Sequence, residues 1–157
     1  MAEKLNNFTD PVCGTYDGDD RIYHVPFAAS QALARRGGKA IDLHHQYQAA
    51  TANSSNLAGF LEVDAIGVTN GHPATVANGD LLPVNMGLSK TCVFPTSNRA
   101  AVASDVGKVF DILVANNIQY VNMNASANAV LTITEVLDAN GSYVACSIPG
   151  GKRYGNL

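Results

Sequence analysis

Three aspartates near the N-terminus are the residues best spaced for metal chemistry. Asp17, Asp19 and Asp20 surround Gly18, and carboxylates at this spacing are typical of the start of a calcium-binding loop. A complete loop also needs further oxygen ligands and a bidentate Glu about a turn later, and none follows. We therefore expect an acidic surface turn, and a chain that uses no metal and no cofactor.

The histidines and nucleophiles form no recognisable catalytic pattern. His44 and His45 are adjacent, so on a strand they point to opposite faces and on a helix they lie about 100° apart. His24 and His72 are isolated in the sequence. The chain also has no Gly-x-Ser-x-Gly elbow, no cysteine-protease signature and no phosphate loop. We expect a protein that is not an enzyme; a small hydrolase would require a cleft with a His–carboxylate pair.

The charge composition argues against a nucleic-acid partner and favours a protein partner. Charged residues make up 15% of the chain, against roughly 25% in ordinary soluble domains, and the formal net charge is −3 at pH 7. Basic residues cluster only as Arg35, Arg36 and Lys39 and as Lys152 and Arg153, which is too little to bind a phosphate backbone. A surface of neutral polar groups is easily desolvated when another protein covers it.

Membrane and redox signals are also absent from the sequence. No apolar run approaches the roughly 18 residues of a spanning helix, and no basic segment precedes an apolar run at the N-terminus. We expect no membrane partner and synthesis in a cytoplasm. Cys13, Cys92 and Cys146 are odd in number and form no Cys-x-x-Cys pair. The interpretation is three reduced thiols, with Cys92 and Cys146 serving as small hydrophobic residues in strands.

The elements that would position a site are mostly strands. Runs rich in β-branched and aromatic residues span 109–114, 118–123, 130–136 and 143–148, with Asn- and Gly-rich turns between them. This spacing predicts an antiparallel meander in a small β-barrel or sandwich, in which Phe110, Ile112 and Val114 share one face. Asn140-Gly141 predicts a tight hairpin turn with positive φ angles. Further strand-like runs occupy 57–63, 81–86 and 90–94.

The first 56 residues differ in character. Residues 1–20 predict an extended N-terminal arm, whose sizeable apolar side chains are Leu5, Phe8, Val12 and Tyr16. Residues 27–36 have high helix propensity and end at Gly37-Gly38, which fits either one short helix or a hairpin leading into a strand at 40–43. The polar segment 49–56 is the predicted boundary. The expected domains are therefore an arm with a small subdomain, 1–56, and a mainly β domain, 57–157.

One stretch of the sequence resembles a known family. Residues 103–110 read Ala-Ser-Asp-Val-Gly-Lys-Val-Phe, and an Asn-rich strand, a hairpin and the basic tail Gly151-Lys152-Arg153-Tyr154 follow. Together with Ala58-Gly59-Phe60-Leu61-Glu62, this resembles small capsid decoration (cement) proteins and related head proteins of tailed phages. The resemblance covers roughly residues 57–157.

The resemblance implies a non-enzymatic structural subunit on the exterior of a virion capsid, made in the host cytoplasm. It implies binding across neighbouring capsomers, with the major capsid protein and copies of itself, often as a trimer, as partners. A receptor- or glycan-binding head-fibre module is the alternative. The residues we predict to contact a partner lie in the arm, the basic pair and the tail: Leu5, Phe8, Val12, Tyr16, Arg35, Arg36, Lys152, Arg153 and Tyr154.

Overall fold

The computed structural model describes residues 15–30, 40–43, 46–62, 76–116 and 118–154. These residues form a mainly β structure, as the sequence predicts, with ten strands and two short 3-10 turns at Ala103–Asp105 and Gly150–Lys152. The strands are β1 Ile22–Pro26, β2 Ala40–Leu43, β3 Tyr47–Ala49, β4 Gly59–Leu61, β5 Leu81–Asn85, β6 Cys92–Ser97, β7 Val109–Ala115, β8 Ile118–Asn122, β9 Leu131–Val136 and β10 Tyr143–Ser147. No helix in the described ranges is long and apolar enough to cross a membrane.

The first five strands form one antiparallel sheet in the order β1-β5-β4-β2-β3. Its inner face buries Val25, Ile41, Leu61 and Val84 in one hydrophobic cluster. Phe27, directly after β1, forms a parallel bridge with Tyr47 on β3, so the sheet curls until its two edges touch at that point. The strand predicted at 40–43 is confirmed as β2.

The last five strands form a closed barrel in the order β10-β6-β8-β7-β9, which confirms the barrel. The predicted meander is wrong in one respect, because β9 pairs with β7 and not with β8. Strand β8 instead pairs in parallel with β6, while β6 also pairs with β10. Closure through β6 removes the free edges that so lightly charged a sheet would otherwise expose.

The barrel core follows the predicted alternation, with one exception. Phe110, Ile112, Cys92 and Cys146 are buried in one cluster, and the two cysteines are opposite each other on β6 and β10. Burial raises the pKa of the Cys146 thiol, which keeps it protonated and chemically inert. Val114, expected on the same face, is exposed, and it lies next to the turn that joins β7 to β8.

The last hairpin is confirmed, but its turn differs from the expected two-residue form. Gly141 has a φ of +68°, as predicted, whereas Asn140 is not among the residues with positive φ. The loop is longer: the Leu137 N–H donates to the Tyr143 carbonyl at 3.0 Å, and Asp138 Oδ1 accepts from the backbone N–H groups of Ser142 and Tyr143. The Asp138 carboxylate therefore supports a five-residue loop.

The two sheets share one core. Gln119 on β8 is fully buried, and its side chain exchanges hydrogen bonds with Ala40 on β2, accepting at 2.5 Å and donating at 3.0 Å. Phe60 of the first sheet packs edge-on against Phe94 of the barrel, with ring centroids 6.0 Å apart. Strands β4 and β5 follow residue 56 yet belong to the first sheet, so the domain boundary at 56/57 stays a prediction.

The N-terminal predictions are partly corrected. Residues 1–14 and 31–39 lie outside the described residues, so the arm before Thr15 and most of the predicted helix or hairpin are not addressed. Residues 27–30 are not helical, because Phe27 is bridged to Tyr47 and Ser30 has a φ of 62°. Residues 15–20 are not a detached arm either. The Tyr16 N–H donates to the Thr91 carbonyl at 2.9 Å, and the Asp17 carbonyl accepts from the Thr91 N–H at 2.8 Å.

Candidate functional site

The acidic turn at 17–20 is held against the loop between β5 and β6. Asp19 accepts hydrogen bonds from the backbone N–H and the hydroxyl of Ser89, and these bonds hold its pKa below the usual range. Asp20 forms an ion pair with Lys90, with 2.7 Å between Nζ and Oδ1, and accepts from Asn85 Nδ2 at 2.8 Å. The Lys90 and Asn85 bonds likewise lower the pKa of Asp20.

The acidic turn lies very close to the backbone of the β5–β6 loop at Gly18. A Cβ atom on Gly18, whose φ is +100°, would lie 2.1 Å from the Ser89 carbonyl oxygen, so only glycine fits there. Among the described residues no group of three or more His, Cys, Asp or Glu side chains is arranged to hold a metal ion. The carboxylates of Asp19 and Asp20 bind the neighbouring loop, which accounts for their spacing.

A groove of about 300 Å³ lies between the acidic turn and strand β9. The residues that line this acidic groove are Tyr16, Asp17, Gly18, Ser89, Thr91, Thr134 and Glu135. Partial burial, together with the carboxylates of Glu135 and Asp17, raises the pKa of Tyr16. The groove therefore carries negative potential and suits a cationic or hydroxyl-rich group.

A second surface feature, the valine ridge, comprises the exposed side chains of Val102, Val106 and Val109, which are 54%, 46% and 37% exposed. The ridge surrounds Asp105, which is 1% exposed. Arg99 contacts both oxygens of that carboxylate, at 2.8 and 2.9 Å, and holds the pKa of Asp105 well below its usual range. A bidentate pair of this kind fixes geometry as well as charge, so the ridge is rigid.

The predicted tail residues form contacts within their own chain. Lys152 and Tyr154 exchange backbone hydrogen bonds with Leu57 at 2.8 and 3.2 Å. Arg153 is buried, and its Nη2 donates to the carbonyls of Gly87 and Leu88 at 3.1 and 3.0 Å. The hydroxyl of Tyr154 donates to buried Asp42 at 2.6 Å. The tail thus fastens the C-terminus to the first sheet, and a partner-binding role for it stays a prediction.

Most of the other residues that the sequence singled out lie outside the described ranges. Leu5, Phe8, Val12, Arg35 and Arg36 lie outside the described residues, as do His44, His45 and His72. Tyr16 lies in the acidic groove, and His24 lies on the exposed side of β1. Sequence reasoning missed the valine ridge and Arg99. The available signal was the run 102–109, where three valines stand among small and charged residues.

Comparisons with known proteins found no relative of this chain. No family model, no curated protein and no solved structure matches it.

Proposed function

We propose that this chain is a non-enzymatic structural subunit that decorates the exterior of a tailed-phage capsid and binds across neighbouring capsomers. The observation that carries the proposal is its apolar surface: nine large hydrophobic side chains are exposed in the part of the chain that the structure describes. Three of them, Val102, Val106 and Val109, lie within eight residues of one another on a rigid ridge. Grouped apolar side chains of this kind mark protein interaction surfaces.

The use of buried charge supports a structural role over a catalytic one. Asp42, Lys90, Asp105, Asp111 and Arg153 are the buried ionisable side chains of the described ranges, apart from the two cysteines. Each one stabilises a turn, a loop or the tail. Asp111, for example, accepts hydrogen bonds from the backbone N–H groups of residues 127–129 at 2.7 to 3.1 Å. Catalytic acids and bases instead stand in a cleft with their polar atoms directed at a substrate.

Cosedimentation tests the proposal. Purified full-length protein is mixed with expanded, undecorated heads assembled from the major capsid protein encoded in the same genome. Saturable binding at a fixed ratio to capsomers is the expected result, and heads decorated in this way should resist dilution or heating better than bare heads. Absence of binding to both expanded and unexpanded heads would overturn the capsid assignment.

The acidic groove supports a second candidate, a receptor- or glycan-binding head-fibre module. Tyr16 offers an aromatic ring, and Ser89, Thr91 and Glu135 offer hydrogen-bonding groups around the same space. Sugar rings use such a combination of stacking and polar contacts. A glycan array separates the two candidates, because a decoration subunit should bind none of its sugars, whereas a head-fibre module should bind a defined subset.

A further inference from the structure

Two thiols face each other inside the barrel. Cys92 is the first residue of β6 and Cys146 lies on β10, and the antiparallel register of the two strands makes these residues direct partners. Directly opposed residues of an antiparallel pair project from the same face of the sheet. Both side chains are 0% exposed and belong to the same core cluster, so the two sulfur atoms share one small volume of the core.

The spacing of such a pair suits a disulfide. Opposed residues of an antiparallel ladder have Cα atoms about 4.5–5.5 Å apart, and a disulfide joins Cα atoms about 4.4–6.8 Å apart. Burial, followed by the charge of the Cys92 thiolate, raises the pKa of the Cys146 thiol. The second effect weakens with distance, which agrees with two neighbouring sulfur atoms.

The pair lies where the β6–β10 ladder ends. Cys92 begins β6, and Cys146 is the last residue but one of β10. The register of β10 against β9 also shifts between Ala145 and Cys146. Strand ends and bulges open locally more readily than the middle of a strand. The thiols are protonated and inert while the barrel is closed, but local opening exposes them to a reagent without unfolding the whole barrel.

A covalent bond at this position would stabilise the barrel. It would close a ring of the chain that contains β7, β8 and β9. A disulfide restricts the unfolded chain more strongly as the ring that it closes becomes longer. The bond would also hold β6, the strand through which the barrel closes, to β10.

We propose that Cys92 and Cys146 are a redox-sensitive cross-link, which forms a disulfide between β6 and β10 when the protein enters an oxidising medium. A low-molecular-weight disulfide such as oxidised glutathione is the oxidant. One cysteine loses its proton and attacks a sulfur of the reagent, which leaves a mixed disulfide and releases one thiol. The second cysteine then loses its proton, attacks the sulfur of the first cysteine and releases the second thiol. The two released thiols take up the two protons, and the protein gains one S–S bond.

The cross-link goes beyond the proposed function, because its chemistry needs only a medium more oxidising than a cytoplasm. A subunit on the exterior of a released particle meets such a medium, whereas the thiols stay reduced during synthesis. The two proposals also fail separately. A protein that does not bind heads can still form the disulfide, and a protein without the disulfide can still bind heads.

Oxidation of the folded full-length protein tests the inference. The protein is incubated without denaturant in a buffer of reduced and oxidised glutathione, its remaining thiols are alkylated, and its peptides are mapped by mass spectrometry. The expected product is one Cys92–Cys146 disulfide. The oxidised protein should melt about 10 °C above the same protein in reductant.

Three variants separate this bond from other thiol chemistry. Cys92→Ala and Cys146→Ala should each abolish the rise in melting temperature on oxidation. Cys13→Ala is the matched control, because it removes the third thiol of the chain and should keep both the disulfide and the rise. A parallel oxidation in urea checks that the reagent is active.

Three results would overturn the proposal. In the first, the Cys92–Cys146 disulfide forms in urea but not in the folded protein. In the second, the folded protein joins Cys13 to either of the other cysteines instead. In the third, the disulfide forms in the folded protein but the melting temperature does not rise.

Discussion

Replacing Gly141 by Ala tests the contact that fastens the last hairpin to the start of the valine ridge. The Gly141 carbonyl accepts from the Ala101 N–H at 2.9 Å and from Thr96 Oγ1 at 2.9 Å. A Cβ atom on Gly141 would lie 2.0 Å from the Ala101 carbonyl oxygen and 2.8 Å from its nitrogen. Both are backbone atoms, so the hairpin and residue 101, which precedes Val102, would have to separate.

The expected cost combines three unfavourable effects and one partial offset. A left-handed backbone at φ +68° disfavours any L side chain by about 1–2 kcal/mol, partly offset by about 0.4–1 kcal/mol of lost freedom in the unfolded chain. The steric clash adds about 1–3 kcal/mol, and loss of the hydrogen bond to Ala101 adds about 1 kcal/mol. We therefore expect Gly141→Ala to lower the free energy of unfolding by about 2–5 kcal/mol.

Gly79 provides the matched control. Its φ of +88° imposes the same backbone cost, yet a Cβ there would meet nothing within 4 Å. Gly79→Ala should therefore cost only about 1 kcal/mol. Urea denaturation followed by far-UV circular dichroism measures both variants. If Gly141→Ala and Gly79→Ala unfold at the same urea concentration, the close approach to Ala101 is wrong.

Three further predictions concern the polar contacts. Asp105 has a folded-state pKa below its unfolded value, so its stabilisation is complete above the unfolded pKa of about 4 and is lost as the pH falls. Asp105→Asn should therefore flatten the fall in stability in an acid titration, and an unchanged acid profile would contradict this. Deleting residues 1–20 should lower the melting temperature, because it removes the bonds of Asp19 and Asp20 to the β5–β6 loop; a truncated protein that melts like the full chain would show that these bonds contribute nothing. Tyr154 has its pKa raised to about 12 by burial and by Asp42, so the stability from its protonated hydroxyl is present below pH 10 and lost as the pH rises towards 12. Tyr154→Phe should remove that dependence in alkaline melts, and should lower stability at neutral pH by about 1–2 kcal/mol.

The deletion experiment replaces an expectation based on composition. Residues 1–20 contain few apolar side chains, which favours an arm that contributes little to folding. The structure shows that residues 15–20 gain their stability from polar bonds, including those of Asp17 with Thr91 at 3.0 Å. Hydrophobic content alone could not reveal this, because the partners of these aspartates lie about seventy residues away.

The candidate surfaces were less predictable than the fold. Tyr16 was singled out as a contact residue and does line the acidic groove, but Glu135, which lines the same groove, was not singled out. Val102, Val106 and Val109 were not singled out, because hydrophobicity in a sequence does not say which face a backbone presents. Their exposure follows from Asp105, whose bonds to Arg99 and to the Val102 N–H turn the segment outward.

The sequence by itself determined a lightly charged, mainly β chain, the places of β7 to β10 and the positive φ of Gly141. Each depends on side-chain alternation or turn chemistry within a few residues, which local sequence records. Only the tertiary structure decided that β8 runs parallel to β6, that Gln119 joins the sheets through Ala40, 79 positions away, and that Arg153 binds the carbonyls of Gly87 and Leu88. Such choices depend on how distant segments meet and on which polar groups would otherwise be buried without partners, and no local pattern encodes them.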